Sequence, residues 1–200
     1  MNKFSAHLQR CWWKYLAIAL VVVAIWALVF NKLAVPADNE KIAVSFIGSK
    51  LDTSAFEENL HAAIAERTSQ KIRDVSVEVV LSNDDYMFAM IMATRLLTKD
   101  FIIVEEKFLM QDFCKDYFLP LPQEKVLQNF PNAQLYSENG IAYGFVLDNP
   151  NNNFAEFYHG EDKCVAFISS KSPNAMQFYG KGEPADDAAI CAIQFLLENK

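Results

Sequence analysis

The chain has 200 residues, of which 52% are hydrophobic and 22% are charged, and its net charge is −7. This length suits one folded domain plus a short extra segment, and the composition argues against a disordered protein. Residues 1–37 contain four basic residues and no acidic one, so residues 38–200 carry a charge of −11. Because phosphate contacts need clustered Lys and Arg side chains, we expect no nucleic-acid partner.

The first predicted element is an apolar helix from Trp12 to Phe30. A helix of about 20 apolar residues spans the hydrocarbon core of a bilayer. More positive charge precedes this segment than follows it, which places the N-terminus in the cytoplasm. We therefore expect residues 1–11 to be a cytoplasmic tail, 12–30 a transmembrane anchor, 31–40 a linker and 41–200 an extracytoplasmic domain of a single-pass membrane protein.

A second interpretation of the same segment is a cleaved signal peptide. Val35-Pro36-Ala37, before Asp38, has the small residues that a signal peptidase needs. The sequence alone leaves open whether the anchor is retained.

Apolar strands alternate with helical patterns along the rest of the chain. The strands expected are 42–47, 75–81, 101–104, 141–147 and 164–168, and the helices are 53–67 (capped by Thr53 or Ser54), 86–98, 105 to 113 or 117, and 188–197. Strand–helix alternation with wholly apolar strands predicts an α/β fold, with a mostly parallel five-stranded sheet and helices on both faces. The Asn-rich stretch 149–153 is expected to be an exposed loop.

Motifs for chemistry are absent from this sequence. It has no Cys-x-x-Cys pair, no nucleophile elbow and no Gly-rich phosphate loop, and His61 and His159 have no metal-ligand spacing. We therefore expect no catalytic residues, no metal and no cofactor. Cys114 and Cys164 are candidates for a disulfide, which the sequence neither requires nor excludes.

Polar residues follow the predicted strand ends. Ser49, Asn83 and Glu105 do so directly, and Asp84 is next to Asn83. In an open α/β sheet, ligands bind beyond the carboxyl ends of the strands, so these residues are candidates for a ligand site. The carboxylates equally suit helix N-termini, where they complement the dipole.

Six aromatic residues near predicted loops are candidates for stacking on a sugar or peptide. They are Tyr136, Tyr143, Phe154, Phe157, Tyr158 and Tyr179. Tyr143 joins the four polar residues as the fifth predicted ligand-binding residue.

Several segments resemble one lobe of a type 2 periplasmic binding protein, the extracellular solute-binding component of ABC importers. The segments are Lys41-Ile-Ala-Val-Ser-Phe, Tyr86–Lys99, Asp100-Phe-Ile-Ile-Val-Glu-Glu, Phe118-Leu-Pro-Leu, Tyr143-Gly-Phe-Val-Leu, Val165-Ala-Phe-Ile-Ser-Ser-Lys-Ser-Pro-Asn174 and Ala188–Leu196. Complete members of the family have two lobes, whereas this chain has room for a single, truncated lobe.

The resemblance implies a membrane-anchored binding module without enzymatic activity. Its ligand would be a small solute, glycan, peptide or partner protein, and it would act as a transporter accessory or a sensor. Two other classes stay open. One is a structural or assembly protein with no small-molecule ligand. The other is a hydrolase that uses Glu105 with Asp84 or Asp85 as an acid/base pair.

Overall fold

A computed structural model describes residues 3–34, 36–80, 94, 98–109, 113–181 and 187–199. The chain divides into two compact units, Met1–Ala37 and Asp38–Lys200. The first unit is helix α1 (Lys3–Ala34). Its stretch Trp12–Phe30 is long and apolar enough to cross a membrane, and none of it is buried. Length and composition of this kind suit either a membrane anchor or a signal sequence.

The second unit is an α/β domain, which confirms the expected fold class. Its strands are β1 (Lys41–Ile47), β2 (Asp74–Val80), β3 (Phe101–Glu105), β4 (Leu135–Glu138), β5 (Ile141–Val146) and β6 (Cys164–Ile168). Its α-helices are α2 (Thr53–Arg67), α3 (Phe113–Tyr117), α4 (Gln123–Asn129) and α5 (Ala188–Leu197). The expected helix 86–98 lies outside the described residues, except for Thr94 and Thr98.

The sheet is mixed, with the strand order β2-β1-β3-β6-β5-β4. Strand β1 pairs in parallel with β2 and β3, and the other neighbours pair antiparallel. Because β6 opposes both β3 and β5, the strands β1, β3 and β5 run in the same direction. Their carboxyl ends therefore meet at one edge of the sheet, which we call the carboxyl edge.

The core lies on both faces of the sheet, because the strands are apolar on both sides. Alternate residues of β1 and β3, such as Phe46 and Ile103, pack against helices α2, α4 and α5. Residues of the opposite parity, such as Ile102, pack against Cys114 and Phe118 at α3. Helices on both faces were expected, and the structure has them.

Three local expectations need correction. The sheet has six strands instead of five, because β4 was not predicted. The N-cap of α2 is Asp52, whose side chain accepts a hydrogen bond from Ala55 N, so neither Thr53 nor Ser54 is the cap. Glu105 ends β3 and does not open an α-helix, since a short 3-10 turn, Glu106–Phe108, separates it from α3.

The candidate disulfide is not formed. Cys114 and Cys164 are both buried free thiols. They belong to apolar clusters on opposite faces of the sheet, Cys114 beside α3 and Cys164 facing α2 and α5. Burial raises the pKa of the Cys164 thiol to about 12, so this thiol is kept in its unreactive protonated form.

Candidate functional site

The carboxyl edge brings Ser49 and Glu105 together, two of the predicted site residues. Glu105 is fully buried at the end of β3. Its Oε1 accepts hydrogen bonds from Ser49 N at 2.8 Å and from the Tyr158 hydroxyl at 3.1 Å, and the Ser49 hydroxyl lies at 3.5 Å. These donors give the buried carboxyl group hydrogen-bonding partners, without which its burial would be costly.

The other carboxylate oxygen faces a lysine. Glu105 Oε2 accepts no hydrogen bond of good geometry from the described residues, but it lies 2.6 Å from Lys107 Nζ. Lys107 also donates a hydrogen bond to Asp162 Oδ2 at 2.6 Å, and this hydrogen bond together with the nearby Glu105 carboxylate raises the pKa of its ammonium group. The negative charge of Glu105 is therefore compensated by an ion pair at the rim of the site.

The chain itself closes this position. Tyr158 belongs to the connection between β5 and β6, and it forms an isolated antiparallel β-bridge with Leu51. The amide of Asp52 donates to Phe157 O at 2.9 Å, and the amide of His159 donates to Lys50 O at 3.0 Å. The crevice between β1 and β3, where the strand order reverses and a ligand is expected, is consequently filled by the segment 157–159.

Two glycines permit this close packing. A Cβ on Gly48 would lie 2.5 Å from Glu105 Cδ, and a Cβ on Gly160 would lie 2.0 Å from the Tyr158 hydroxyl oxygen. Neither position has room for a methyl group. The enclosure of Glu105 therefore depends on Gly48 and Gly160 as much as on its hydrogen-bonding partners.

The remaining predicted site residues are not gathered around Glu105 in the part of the chain that the structure describes. Tyr143 is 5% exposed and packs in the apolar cluster beside α3. Asn83, Asp84 and Asp85 lie outside the described residues, so the proposed pairing of Glu105 with an aspartate stays a prediction. Of the other aromatic candidates, Phe154 and Phe157 are core residues.

A cavity of about 560 Å³ lies elsewhere on the carboxyl edge. It is formed where β5 ends at Val146, where the loop after α4 leads into β4, and where α5 ends. Seven side-chain amides line it: Asn129, Asn132, Gln134, Asn149, Asn152, Gln194 and Asn199. We call it the amide cavity. Its volume falls in the range of about 300–1,000 Å³ that small-molecule sites occupy.

Hydrogen bonds between elements hold the walls of the amide cavity. Gln194 on α5 donates to Asn129 O at 3.1 Å, which joins α5 to α4. Asn153 donates through its side chain to Phe195 O at 2.8 Å, and the side chain of Asn149 donates to Asn199 Oδ1 at 2.8 Å. The cavity is therefore bounded by secondary-structure elements that hydrogen bonds hold together, and it is not only a gap between loops.

Asn152 is the most unusual residue on the cavity wall. It is 1% exposed, and its Oδ1 accepts from Ala155 N at 3.0 Å, which caps a 3-10 turn. That bond assigns the oxygen and leaves Nδ2 as a buried donor with no partner among the described residues. Buried donors are nearly always paired, so Asn152 Nδ2 is an exception among the described residues, and it is enclosed by the protein and not open to the cavity.

Charge is nearly absent from the cavity wall. Glu198 is its one ionisable side chain, and it forms a two-pronged ion pair with Arg67, with N–O distances of 2.5 and 2.6 Å. The Arg67 hydrogen bonds lower the pKa of Glu198. A ligand in the cavity therefore meets amides, apolar groups and a carboxylate that is already compensated.

The amino-acid sequence indicates this cavity only weakly. The cluster of asparagines at 149–153 was expected to be an exposed loop, but Asn152 is buried. The segments 129–134 and 194–199, which complete the cavity wall, lie 18 to 47 residues from Asn152 in the sequence. Their convergence depends on the pairing of β4 with β5 and on the position of α5, which no local pattern specifies.

Comparisons with known proteins add little to these observations. No family model and no curated protein matches the chain. Among solved structures, the domain is similar to the crystal structure of an N-glycan transport solute binding protein, NgtS, from Streptococcus pneumoniae, with a TM-score of 0.37 and 15% identity. The match covers 52% of this chain and 24% of that one. A likeness at this level carries no argument, so the resemblance to solute-binding proteins stays a prediction.

Proposed function

We propose that the protein is a membrane-anchored binding module that holds its ligand in the amide cavity, outside the cytoplasm. The observation that carries the proposal is a cavity of ligand size whose wall is formed largely by side-chain amides. Two of them, Asn132 and Gln134, are exposed and make no side-chain hydrogen bond within the described residues, so their donors and acceptors are available to a ligand.

The position of the cavity supports the same role. It lies on the carboxyl edge, the side of an α/β sheet where ligands bind. The crevice between β1 and β3 on that edge is filled by Tyr158, so the amide cavity is the open site there among the described residues. Because hydrogen bonds hold its walls in place, less conformational entropy is lost when a ligand binds.

Binding without chemistry is the activity that we propose. Glu105, the predicted acid or base, is enclosed by Ser49 and Tyr158 and compensated by Lys107. A general acid or base must reach a substrate proton within hydrogen-bonding distance, which this enclosure prevents. In a single-pass protein, such a module is suited to present its ligand to a transporter or to serve as a sensor.

Thermal unfolding of the full chain in lipid nanodiscs tests the proposal. The panel contains amino acids, short peptides, organic acids, and neutral and charged oligosaccharides. A ligand present at 100 times its dissociation constant adds about 2.7 kcal/mol to the free energy of unfolding and raises Tm by several degrees. We expect one class to do so, and we expect the shift to be lost in Asn132→Ala/Gln134→Ala.

Both of these amides are exposed and make no side-chain hydrogen bond in the described part of the chain, so the double variant leaves the fold intact. Gln123→Ala/Gln128→Ala on α4 is the matched control, because it removes two exposed amides outside the cavity. A flat panel with cooperative unfolding would contradict the proposal, and self-association of the same sample would favour an assembly role.

A further inference from the structure

We infer that the ligand of the amide cavity is a neutral, polyhydroxylated molecule, namely a short oligosaccharide. This inference rests on the proposed function and names its ligand class. The polar groups on the cavity wall are almost all of one kind, the side-chain amides of Asn and Gln.

Amides match hydroxyl groups in hydrogen-bonding capacity. Each side-chain amide offers two N–H donors and an acceptor oxygen, and each sugar hydroxyl both donates and accepts. A wall of amides can satisfy hydroxyls in several orientations without imposing a charge. Asn132 and Gln134 make no side-chain hydrogen bond within the described residues, so their full capacity is available to a ligand.

Charged ligands fit this wall poorly. Recognition of a carboxylate or phosphate uses Arg, Lys or a helix N-terminus, and recognition of an ammonium group uses carboxylates or aromatic faces. Among the described residues that line the cavity there is no Lys, Arg, His or Asp, and Glu198 is paired with Arg67. A charged solute would lose its hydration here without gaining a counter-charge.

The apolar part of the wall is also suited to a sugar. Pro131 and Leu197 contribute partly exposed apolar surface beside the amides. A pyranose ring has an apolar C–H face in addition to its hydroxyl rim, so it can contact both kinds of surface at once. Apolar surface beside oriented polar groups is a common feature of small-molecule sites.

The test is isothermal titration calorimetry of the full chain in nanodiscs free of glycolipid, prepared without sugar-based detergents. The probes are maltotriose, cellotriose and chitotriose as neutral trisaccharides, tri-galacturonate as a charged one, and trialanine as a peptide. We expect at least one neutral trisaccharide to bind and the charged probe to bind at least 10-fold more weakly. We expect Asn132→Ala/Gln134→Ala to weaken binding at least 10-fold, and Gln123→Ala/Gln128→Ala to leave it unchanged.

Each of the other outcomes contradicts the ligand class, the site, or both. If trialanine or tri-galacturonate binds best and the cavity variants abolish its binding, the ligand class is wrong and the proposed function stands. If a neutral trisaccharide binds equally well to the cavity variants, the site is wrong. If no probe here and no member of the wider panel binds the folded protein, both fail.

Discussion

At the scale of single residues, Glu105 shows how this fold retains a charge in its interior. The carboxylate is fully buried, and a tyrosine that follows it by 53 positions in the sequence donates a hydrogen bond to it. Hydrogen bonds to charged groups contribute more to stability than neutral ones. The strength of the Tyr158–Glu105 contact is therefore measurable by comparison with a neutral hydrogen bond of the same length.

We expect Tyr158→Phe to lower the free energy of unfolding by about 1.5–3 kcal/mol, the range for a bond to a charged acceptor. In a Glu105→Gln background the cost should fall to about 0.5–1.5 kcal/mol, because the acceptor is then neutral. Urea unfolding of the full chain in non-ionic micelles, followed by far-UV circular dichroism, measures both values.

Tyr179→Phe is the matched control for this cycle. Its hydroxyl donates to the backbone carbonyl of Ile168 at 3.1 Å, the same distance as in the Tyr158 contact, but to a neutral acceptor. Its cost should be about 0.5–1.5 kcal/mol in either background. Equal costs for the two Tyr→Phe substitutions would show that the charge of Glu105 does not strengthen its contact.

Asp100 is the second buried carboxyl, at the start of β3. Its oxygens accept from Ala43 N at 2.7 Å, from Asn174 Nδ2 at 2.9 Å and from the Ser172 hydroxyl. Desolvation nevertheless dominates, and it raises the pKa of this carboxyl above its ordinary value. A carboxyl whose folded-state pKa is raised binds its proton more tightly in the folded protein than in the unfolded chain.

The pH dependence follows from that sign. Between the ordinary Asp pKa of about 3.9 and the raised value, the folded state holds more protons, so the Asp100 contribution to stability falls as pH rises. The unfolding free energy of the wild type minus that of Asp100→Asn should therefore decrease with pH through this window and then level off. Urea unfolding at a series of pH values measures the difference, in which other titrating groups cancel. A difference that grows with pH would mean that the fold stabilises the charged form.

At the scale of secondary-structure elements, the segment 157–160 acts as a cover on the ends of β1 and β3. Its fit depends on Gly160, where a Cβ would overlap the Tyr158 ring. We expect Gly160→Ala to cost about 1–3 kcal/mol, as overpacking does, and to cost less than about 0.5 kcal/mol in a Tyr158→Ala background. A double-mutant cycle by urea unfolding gives both values.

Gly140→Ala separates crowding from backbone strain. Unlike Gly160, Gly140 has a positive φ, +79°, and a Cβ there would meet nothing within 4 Å. Its cost comes from the left-handed backbone alone, so Tyr158→Ala should not change it. If Tyr158→Ala also leaves the cost of Gly160→Ala unchanged, the overlap between the new Cβ and the Tyr158 ring is not the cause of that cost.

The elements also show which parts of the fold the sequence determines. Strand β6 could be predicted to the residue because Cys164–Ile168 is an unbroken apolar run that is buried on both sides. Strand β4 could not be predicted, because Leu135–Glu138 is short and only half-buried and pairs on one side with β5. Its identity as a strand comes from its partner and not from its own residues.

The two candidate sites differ in the same way. The contact of Ser49 with Glu105 followed from their positions after parallel strands, which a sequence pattern can indicate. The Tyr158 cover and the amide cavity require that distant segments meet, and nothing local to Tyr158 or Asn152 indicates those contacts. Asparagines in a polar stretch are typical of loops in general, so their role here depended on the three-dimensional arrangement.

At the scale of the whole molecule, the apolar helix decides where the domain works. If α1 is a retained anchor, the full-length mass persists, and the protein stays in the membrane pellet after alkaline carbonate extraction. Protease added outside sealed cells should then remove the acidic domain, as the excess of positive charge before the helix predicts. A product that begins near Asp38 and is released in soluble form would show a cleaved signal peptide instead.

Val21→Arg, at the middle of the apolar stretch, probes the same property. An arginine at the centre of a membrane helix costs about 2.5–3.5 kcal/mol on the insertion scale. We expect it to reduce the carbonate-resistant fraction strongly, and Val21→Ala to leave that fraction unchanged. Equal retention of both variants would place the helix outside the bilayer core.

The composition of α1 has an optical consequence. The protein has three tryptophans, Trp12, Trp13 and Trp26, and all of them lie exposed on this helix, so residues 38–200 have none. Tryptophan fluorescence therefore reports on the surroundings of the helix alone, and brominated lipids quench it only where bromine atoms reach the indole rings. Because the α/β domain itself contains no tryptophan, a change in this emission comes from indoles on α1 and not from the packing of the domain's core.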